Sequence, residues 1–289
     1  MTTQPISSSH LHAALGRPIK GPSALGTDVR RLAHLSVTLA VMEFKLRFFG
    51  SVLGYLWQLM RPLLLFGVLY VVFTKFVHLG SQVNFYPAIL LTGIVLFTFF
   101  SDATSRSVTA VADRENLVRK IEFPRLVVPL AVLLIAYFNL VLNLLAVLVF
   151  VLATGVDPRP EWLAFPLLLV PLGLFAGGLA MLLSALFVRF RDVQPIWEVV
   201  LQAAFYATPI LYPLEKLSPD LQHAVVTLNP VATVLVQSRH TLIDDSAPTA
   251  WEAAGGAWHL LVPGAIVLGV LVLGFWVFNR EAPRIAEEL

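Results

Sequence analysis

"LVVPLAVLLIAYFNLVLNLLAVLVFVLAT", Leu126 to Thr154, runs for 29 residues without an Asp, Glu, Lys or Arg. The hydrocarbon of a bilayer is about 30 Å thick, and a helix rising about 1.5 Å per residue crosses it in about 20 apolar residues. The stretch therefore reads as a membrane span. Five further runs share its character: Pro62 to Leu79, Phe85 to Ser101, Trp162 to Val188, Pro195 to Tyr212 and Trp258 to Phe278. Composition agrees, since 57% of the 289 residues are hydrophobic and 13% charged, with a mean hydropathy of +0.79. Ordinary soluble domains carry about 25% charged residues. The expectation is an all-α integral membrane protein with six transmembrane helices.

Lys and Arg are retained on the cytoplasmic side of short membrane loops. With the amino terminus inside, sixteen of the twenty basic residues fall on that side, leaving Lys75, Arg159, Lys216 and Arg239 outside. Both termini are then cytoplasmic, in a multi-pass protein of the plasma (inner) membrane. The net charge of +2 does not suggest nucleic acid. The absence of Cys excludes disulfides, thiolate metal sites and Cys nucleophiles. The first 26 residues have no apolar core and so do not read as a signal peptide. Three parts follow: a polar cytoplasmic tail over 1–27, a transmembrane domain over 28–280 and a short cytoplasmic tail over 281–289.

Three pieces lie between or before the spans. Asp28 to Phe49 sets Leu32, Leu35, Leu39, Met42, Leu46 and Phe49 at helical spacing among Arg30, Arg31, Glu43, Lys45 and Arg47, which predicts an amphipathic helix at the cytoplasmic interface. "ENLVRKIEFPRLVVP", Glu115 to Pro129, is a charged cytoplasmic segment between spans two and three. In the outer loop, "LQHAVVTLNPVATVLVQSRHTL" is too apolar for a free loop and is broken at Pro230, which predicts two short re-entrant helices packed in protein.

Ion-driven carriers hold ionisable residues within their spans. Here Arg61 and Lys75 stand near the ends of span one, and Glu198 near the start of span five, so an ion gradient is a poor fit. "GRPIKGPS", Gly16 to Ser23, lacks the Lys and Ser/Thr that a P-loop places after its second Gly. No cofactor is expected on this chain. ATP-driven work would come from a separate subunit gripping the cytoplasmic face, and Glu115 to Pro124 could supply a two-turn helix with Leu117 and Ile121 on one side. A merely orienting basic loop is the alternative.

Four stretches carry a family resemblance: "FKLRFFGSVLGYLWQLMRPLL" (Phe44 to Leu64), "ENLVRKIEFPRLVVPLA" (Glu115 to Ala131), "LFVRFRDVQPIWEVVLQAAFYATPILYP" (Leu186 to Pro213) and "LNPVATVLVQSRH" (Leu228 to His240). From about Asp28 to Arg280 the chain resembles the membrane subunit of ABC-2 type polysaccharide exporters, a group that includes O-antigen, teichoic acid and galactan transporters. The resemblance implies a homodimer, two copies of a nucleotide-binding ATPase holding ATP and Mg, and a lipid-linked glycan as substrate. It also implies that Asn116, Leu117, Arg119, Lys120, Ile121 and Phe123 form the coupling helix, and that Arg189, Arg191 and Asp192 form a second ATPase contact.

A glycan path needs aromatic faces for sugar C–H groups and polar partners for hydroxyls. Phe97, Phe100, Tyr137, Asn139, Trp197, Phe205, Tyr206 and Tyr212 are the candidates. Core packing and interfacial belts account for many membrane aromatics and compete with that reading. Gly173, Ala176, Gly177, Ala180 and Ser184 form a small-residue ridge suited either to a dimer contact or to packing within one subunit. Asp244 and Asp245 in the outer loop read as solvated acids rather than a metal pair. Two other functions fit less well: an ABC-2 exporter of drugs or small lipids, and a membrane-embedded glycosyltransferase, for which the scattered carboxylates offer no motif.

Overall fold

The computed structural model describes residues 29–48, 52–78, 83–118 and 123–288. The amino-terminal tail, with Gly16 to Ser23, lies outside these residues. All the described secondary structure is helical: α1 Val29–Phe48, α2 Val52–Val71, α3 Tyr86–Ala110, α4 Glu115–Val118, α5 Val127–Ala153, α6 Phe165–Arg189, α7 Val193–Ala207, α8 Pro219–Leu228, α9 Pro230–Leu242, α10 Ala250–Ala253 and α11 Leu261–Glu288. Among the described residues, five stretches are long and apolar enough to cross a membrane: Leu56–Phe76, Tyr86–Ala110, Val127–Ala153, Pro160–Arg189 and Ala257–Ala282. The protein is an integral membrane helical protein.

Helix α7 is different. Its 15 residues reach about 22 Å, less than the hydrocarbon thickness. It runs antiparallel to α3: Trp197 Nε1 donates to Thr104 Oγ1 at 3.1 Å, Phe205 packs edge-on against Phe97, and beyond the helix Tyr86 Oη donates to the Leu211 carbonyl at 2.9 Å. From Thr104 to Tyr86, α3 covers about 27 Å, at about 1.5 Å per residue. The chain from Trp197 to Leu211 matches that depth because it leaves the helix at Thr208, whose backbone is extended.

Central in the bundle, α3 buries Leu90, Leu91, Ile94 and Leu96 completely. Helices α6 and α11 meet through Gly178 and Gly274: a Cβ on Gly274 would stand 2.1 Å from the Gly178 carbonyl oxygen. A Cβ on Gly173 would overlap the Tyr137 hydroxyl, and one on Gly177 would press on Leu133. Ala176, Ala180 and Ser184 are also fully buried. The small-residue ridge is thus used for packing within the subunit, between α5, α6 and α11.

Helix α1 docks on α5 through Leu32, Ser36 and Ala40, with Phe44 edge-on to Phe138. Met42 and Leu46, expected on its apolar stripe, stand on the exposed flank beside Lys45. The small Ser36 and Ala40 allow the closer approach and so choose the buried face.

Helices α8 and α9 form the expected broken pair. Asn229 caps α9, accepting from the Val231 and Ala232 amides, while its own amide donates to Thr208 Oγ1 at 2.9 Å. Ile210 beside it packs on Gly93, seven residues or about 10 Å along α3 from Tyr86. The tip therefore lies below the Tyr86 end of the bundle, with its polar groups satisfied by protein.

Candidate functional site

Between α2, α3 and α7 lies an open cleft of about 550 Å³. At one end, toward Arg106 of α3, stand Arg61, Asp102 and Glu198; farther in stand Phe97, Phe205 and Tyr206, with Ser101 and Gln202 between. The antiparallel register of α3 and α7 brings Glu198 level with Asp102, and sets Phe97 and Phe205 about five to seven residues, or about 7–10 Å, deeper.

Asp102 organises the charged mouth. Its carboxylate, 16% exposed, faces Arg61 at 3.9 Å and Arg106 at 3.4 Å, one turn further along its own helix. Arg61 is 68% exposed and presents its guanidinium to the cleft. Glu198 accepts from Gln194 Nε2 at 3.3 Å. Behind Asp102, Thr98 and Asn139 line a very small cavity in which Asn139 Oδ1 is buried without a partner.

Of the expected path residues, Phe97, Phe205 and Tyr206 line this cleft. Trp197 bonds Thr104 and holds α7 against α3 at the level of the mouth. Phe100 stacks on Phe175, with ring centroids 5.5 Å apart, and faces α6 rather than the cleft. Tyr137 donates to the Leu169 carbonyl and packs against Phe99, so it too sits between helices of one chain. Asn139 opens on the small cavity behind Asp102. The Tyr212 hydroxyl caps the carbonyls of Tyr206 and Ala207 at the end of α7.

Asp102 and Arg106 escaped the sequence reading because the hydropathy run stops at Ser101, whereas α3 continues to Ala110. The signal that reaches them is the Asp-x-x-x-Arg spacing, which pairs one turn apart on a helix.

In the segment expected to meet the ATPase, Arg119, Lys120 and Ile121 lie outside the described residues. Asn116 stands on the short α4, Leu117 beside it is half-buried, and Phe123 packs against the cluster that holds Leu126 and Leu32. Just before α4, Arg114 forms a two-pronged pair with Glu43 of α1, at 2.7 and 2.5 Å, and also donates to the Ala110 carbonyl. Arg125, just after the segment, is 2% exposed with Nε and Nη1 lacking partners, and burial lowers the pKa of its guanidinium. The second expected contact is exposed: Arg189 lies over the Phe190 ring, Arg191 over Phe187, and Asp192 precedes α7.

The end of the molecule around α8, α9 and α10 is held by ion pairs. Arg239 meets Glu215 at 2.9 Å and Asp244 at 3.9 Å, while Arg159 meets Asp245 at 3.1 Å. The two adjacent aspartates thus serve different arginines. Thr249 and Glu252 cap α10 reciprocally, and the Thr249 hydrogen bonds hold the Glu252 carboxyl below its usual pKa.

Residues 35–243 match the ABC-2 type transporter family. The chain is 30% identical over 256 residues to the O-antigen export system permease protein RfbA of Myxococcus xanthus, covering 88% of this chain and 95% of that one. It is 26% identical over 259 residues to the protein of the same name from Klebsiella pneumoniae, covering 89% and 96%. To the polysialic acid transport protein KpsM of Escherichia coli it is 24% identical over 207 residues, covering 71% and 80%. The chain belongs to the ABC-2 type transporter family.

Proposed function

We propose that this chain is the permease subunit of an ATP-driven exporter that carries a lipid-linked polysaccharide from the cytoplasm across the plasma membrane. The observation that carries the reading is the cleft between α2, α3 and α7, which joins a charged mouth to an aromatic interior. The names of the relatives support a polysaccharide as cargo.

Polar walls at membrane depth are stable against protein or water and costly against lipid. The cleft therefore suits a second copy of the chain, facing the first across a two-fold axis and closing two clefts into one path. The exposed apolar residues beside it, Leu65 on α2 and Val199 on α7, support that pairing. Both termini stand in the cytoplasm, where two copies of a separate ATPase, holding ATP and Mg, grip the segment from Asn116 to Phe123 and the turn at Arg189, Arg191 and Asp192. Their closure shifts the two subunits and opens the path to the glycan.

Depleting the chain tests this reading directly. Lipid-linked glycan is expected to accumulate on the cytoplasmic side, and an unchanged surface polysaccharide refutes the proposal. For coupling, Arg119→Glu with Lys120→Glu is expected to abolish ATPase binding while leaving membrane insertion intact. Normal assembly and export by that variant sink the coupling assignment.

A further inference from the structure

We infer that the glycan this cleft accepts is uncharged, a chain of neutral sugars rather than a polyanion. The inference rests on the export reading and concerns the charge of the cargo alone. Its ground is the balance of charge in the mouth. Asp102 faces both Arg61 and Arg106, at 3.9 and 3.4 Å, so the two cations share a carboxylate already present. Opposite them Glu198 accepts from Gln194, and among the described residues no cation lies within ion-pair distance of it. The charged residues that line the cleft, Arg61, Asp102 and Glu198, sum to minus one, and the one without an opposite partner among the described residues is negative.

A sugar polymer with a carboxylate on every unit would bring successive negative charges to that wall. Removing an anion from bulk water is costly, and only a well-placed cation offsets the loss. Here Arg61 is the one cation of the described lining, it already shares the Asp102 carboxylate with Arg106, and Glu198 adds repulsion. A polyanion needs a net positive lining, which this mouth does not have.

A neutral sugar meets the same groups favourably. Its hydroxyls donate to the Glu198 carboxylate and both donate to and accept from the Gln202 amide, since a carboxylate only accepts whereas an amide does both. About 7–10 Å further in, at about 1.5 Å per residue, its C–H faces can lie on Phe97 and Phe205. The family scaffold does not fix cargo charge, because its members include relatives named for polysialic acid, a polyanion. The side chains at the mouth therefore carry the choice.

The test uses the chain assembled with its ATPase in lipid nanodiscs. Two soluble probes of equal length, a neutral galactose oligosaccharide and an oligosialic acid, are titrated at physiological salt, and binding is read by saturation-transfer NMR. The neutral probe is expected to bind at least about tenfold more tightly, as like-charge juxtaposition discriminates on that scale. Glu198→Lys, which turns the unpaired anion into a cation, is expected to narrow the gap, and Glu198→Gln to narrow it in part. Equal binding of both probes, or tighter binding of oligosialic acid, overturns the charge preference and leaves the export reading standing. A gap unchanged in Glu198→Lys overturns the assignment to Glu198. Binding of neither probe overturns this inference, while the depletion experiment decides the export reading separately.

Discussion

Gly274→Ala tests the backbone-to-backbone contact between α6 and α11. The new Cβ would stand 2.1 Å from the Gly178 carbonyl oxygen and 3.0 Å from its carbonyl carbon, whereas ordinary contact begins at 3.4 Å. Both atoms are backbone, so no side chain can rotate away and the helices must separate by about 1.3 Å, the difference between those distances. A gap of about 0.5–1 Å already forfeits about a quarter to a half of each dispersion contact. Inserting a methyl into a tight interface costs about 1–3 kcal/mol, and the size of this overlap puts the loss near the upper end. Better helix propensity returns up to about 1 kcal/mol, so the net expectation is a destabilisation of about 2 kcal/mol. Gly269→Ala is the control on the same helix, because its Cβ would meet nothing within 4 Å and only the propensity gain applies. Unfolding both variants in detergent with increasing SDS, followed by circular dichroism, compares them directly. Coincident transitions for Gly274→Ala and Gly269→Ala would refute the close-contact argument.

Other positions give further expectations. Replacing Arg114 with Met breaks the two-pronged pair to Glu43, in which both side chains are about three-quarters buried, and is expected to cost about 1–2 kcal/mol; a double-mutant cycle with Glu43→Gln that shows no coupling rejects the tether. Asn229→Ala removes the α9 cap and the bond to Thr208, with an expected cost of about 1–2 kcal/mol and faster amide exchange at Val231 and Ala232, while Asn229→Asp is expected to keep the cap and lose only the Thr208 bond. The Glu252 carboxyl is held below its usual pKa in the folded protein, so its contribution is present above the unfolded-state value and disappears as the pH falls through the depressed one. Amide exchange at Glu252, bonded to Thr249 Oγ1, is expected to accelerate in that acidic window in wild type and to show no such step in Glu252→Gln.

Much of the architecture is readable from apolar run length, because membrane solvent imposes one rule on every span. The broken pair at Asn229 and Pro230 is readable for a related reason: an apolar loop with a proline break must bury its backbone in protein. Other features depend on partners that a linear pattern does not display. The ridge from Gly173 to Ser184 suits two kinds of neighbour equally, and only the approach of Tyr137, Leu133 and Gly274 decides between them. Phe100 and Tyr137 looked like path residues because an aromatic on a span has the same signature whether it faces Phe175, Phe99 or a channel. Met42 and Leu46 fit the helical period of α1, yet small residues at Ser36 and Ala40 set which stripe docks.

Asp102 shows why run length fails where function begins. A hydropathy window ends a span at the first charges, so Asp102 and Arg106 fall into a presumed loop, although the backbone has no reason to stop there. Ser107 donates to the Ala103 carbonyl and Arg114 to the Ala110 carbonyl, side-chain bonds one turn back that a helix can absorb. Helix α3 therefore continues to Ala110, a single element of 25 residues, and a 3₁₀ turn at Ala112–Arg114 joins it to α4. The residues that wall the cleft, Phe97, Ser101 and Asp102, stand on the same rigid rod whose end is clamped to α1 by Arg114 and Glu43. On the proposed export reading, a force applied after Arg114 would pass through the 3₁₀ turn into α3 and so to the charged mouth. Moving the rod relative to α2 alters the 3.9 Å separation of Arg61 and Asp102 before it alters any contact inside α3. A bifunctional cross-link between cysteines introduced at Arg114 and Glu43, whose side chains meet, would fix this end of α3 to α1; if ATP-driven export survived that cross-link, motion of α3 against α1 would not be part of the cycle.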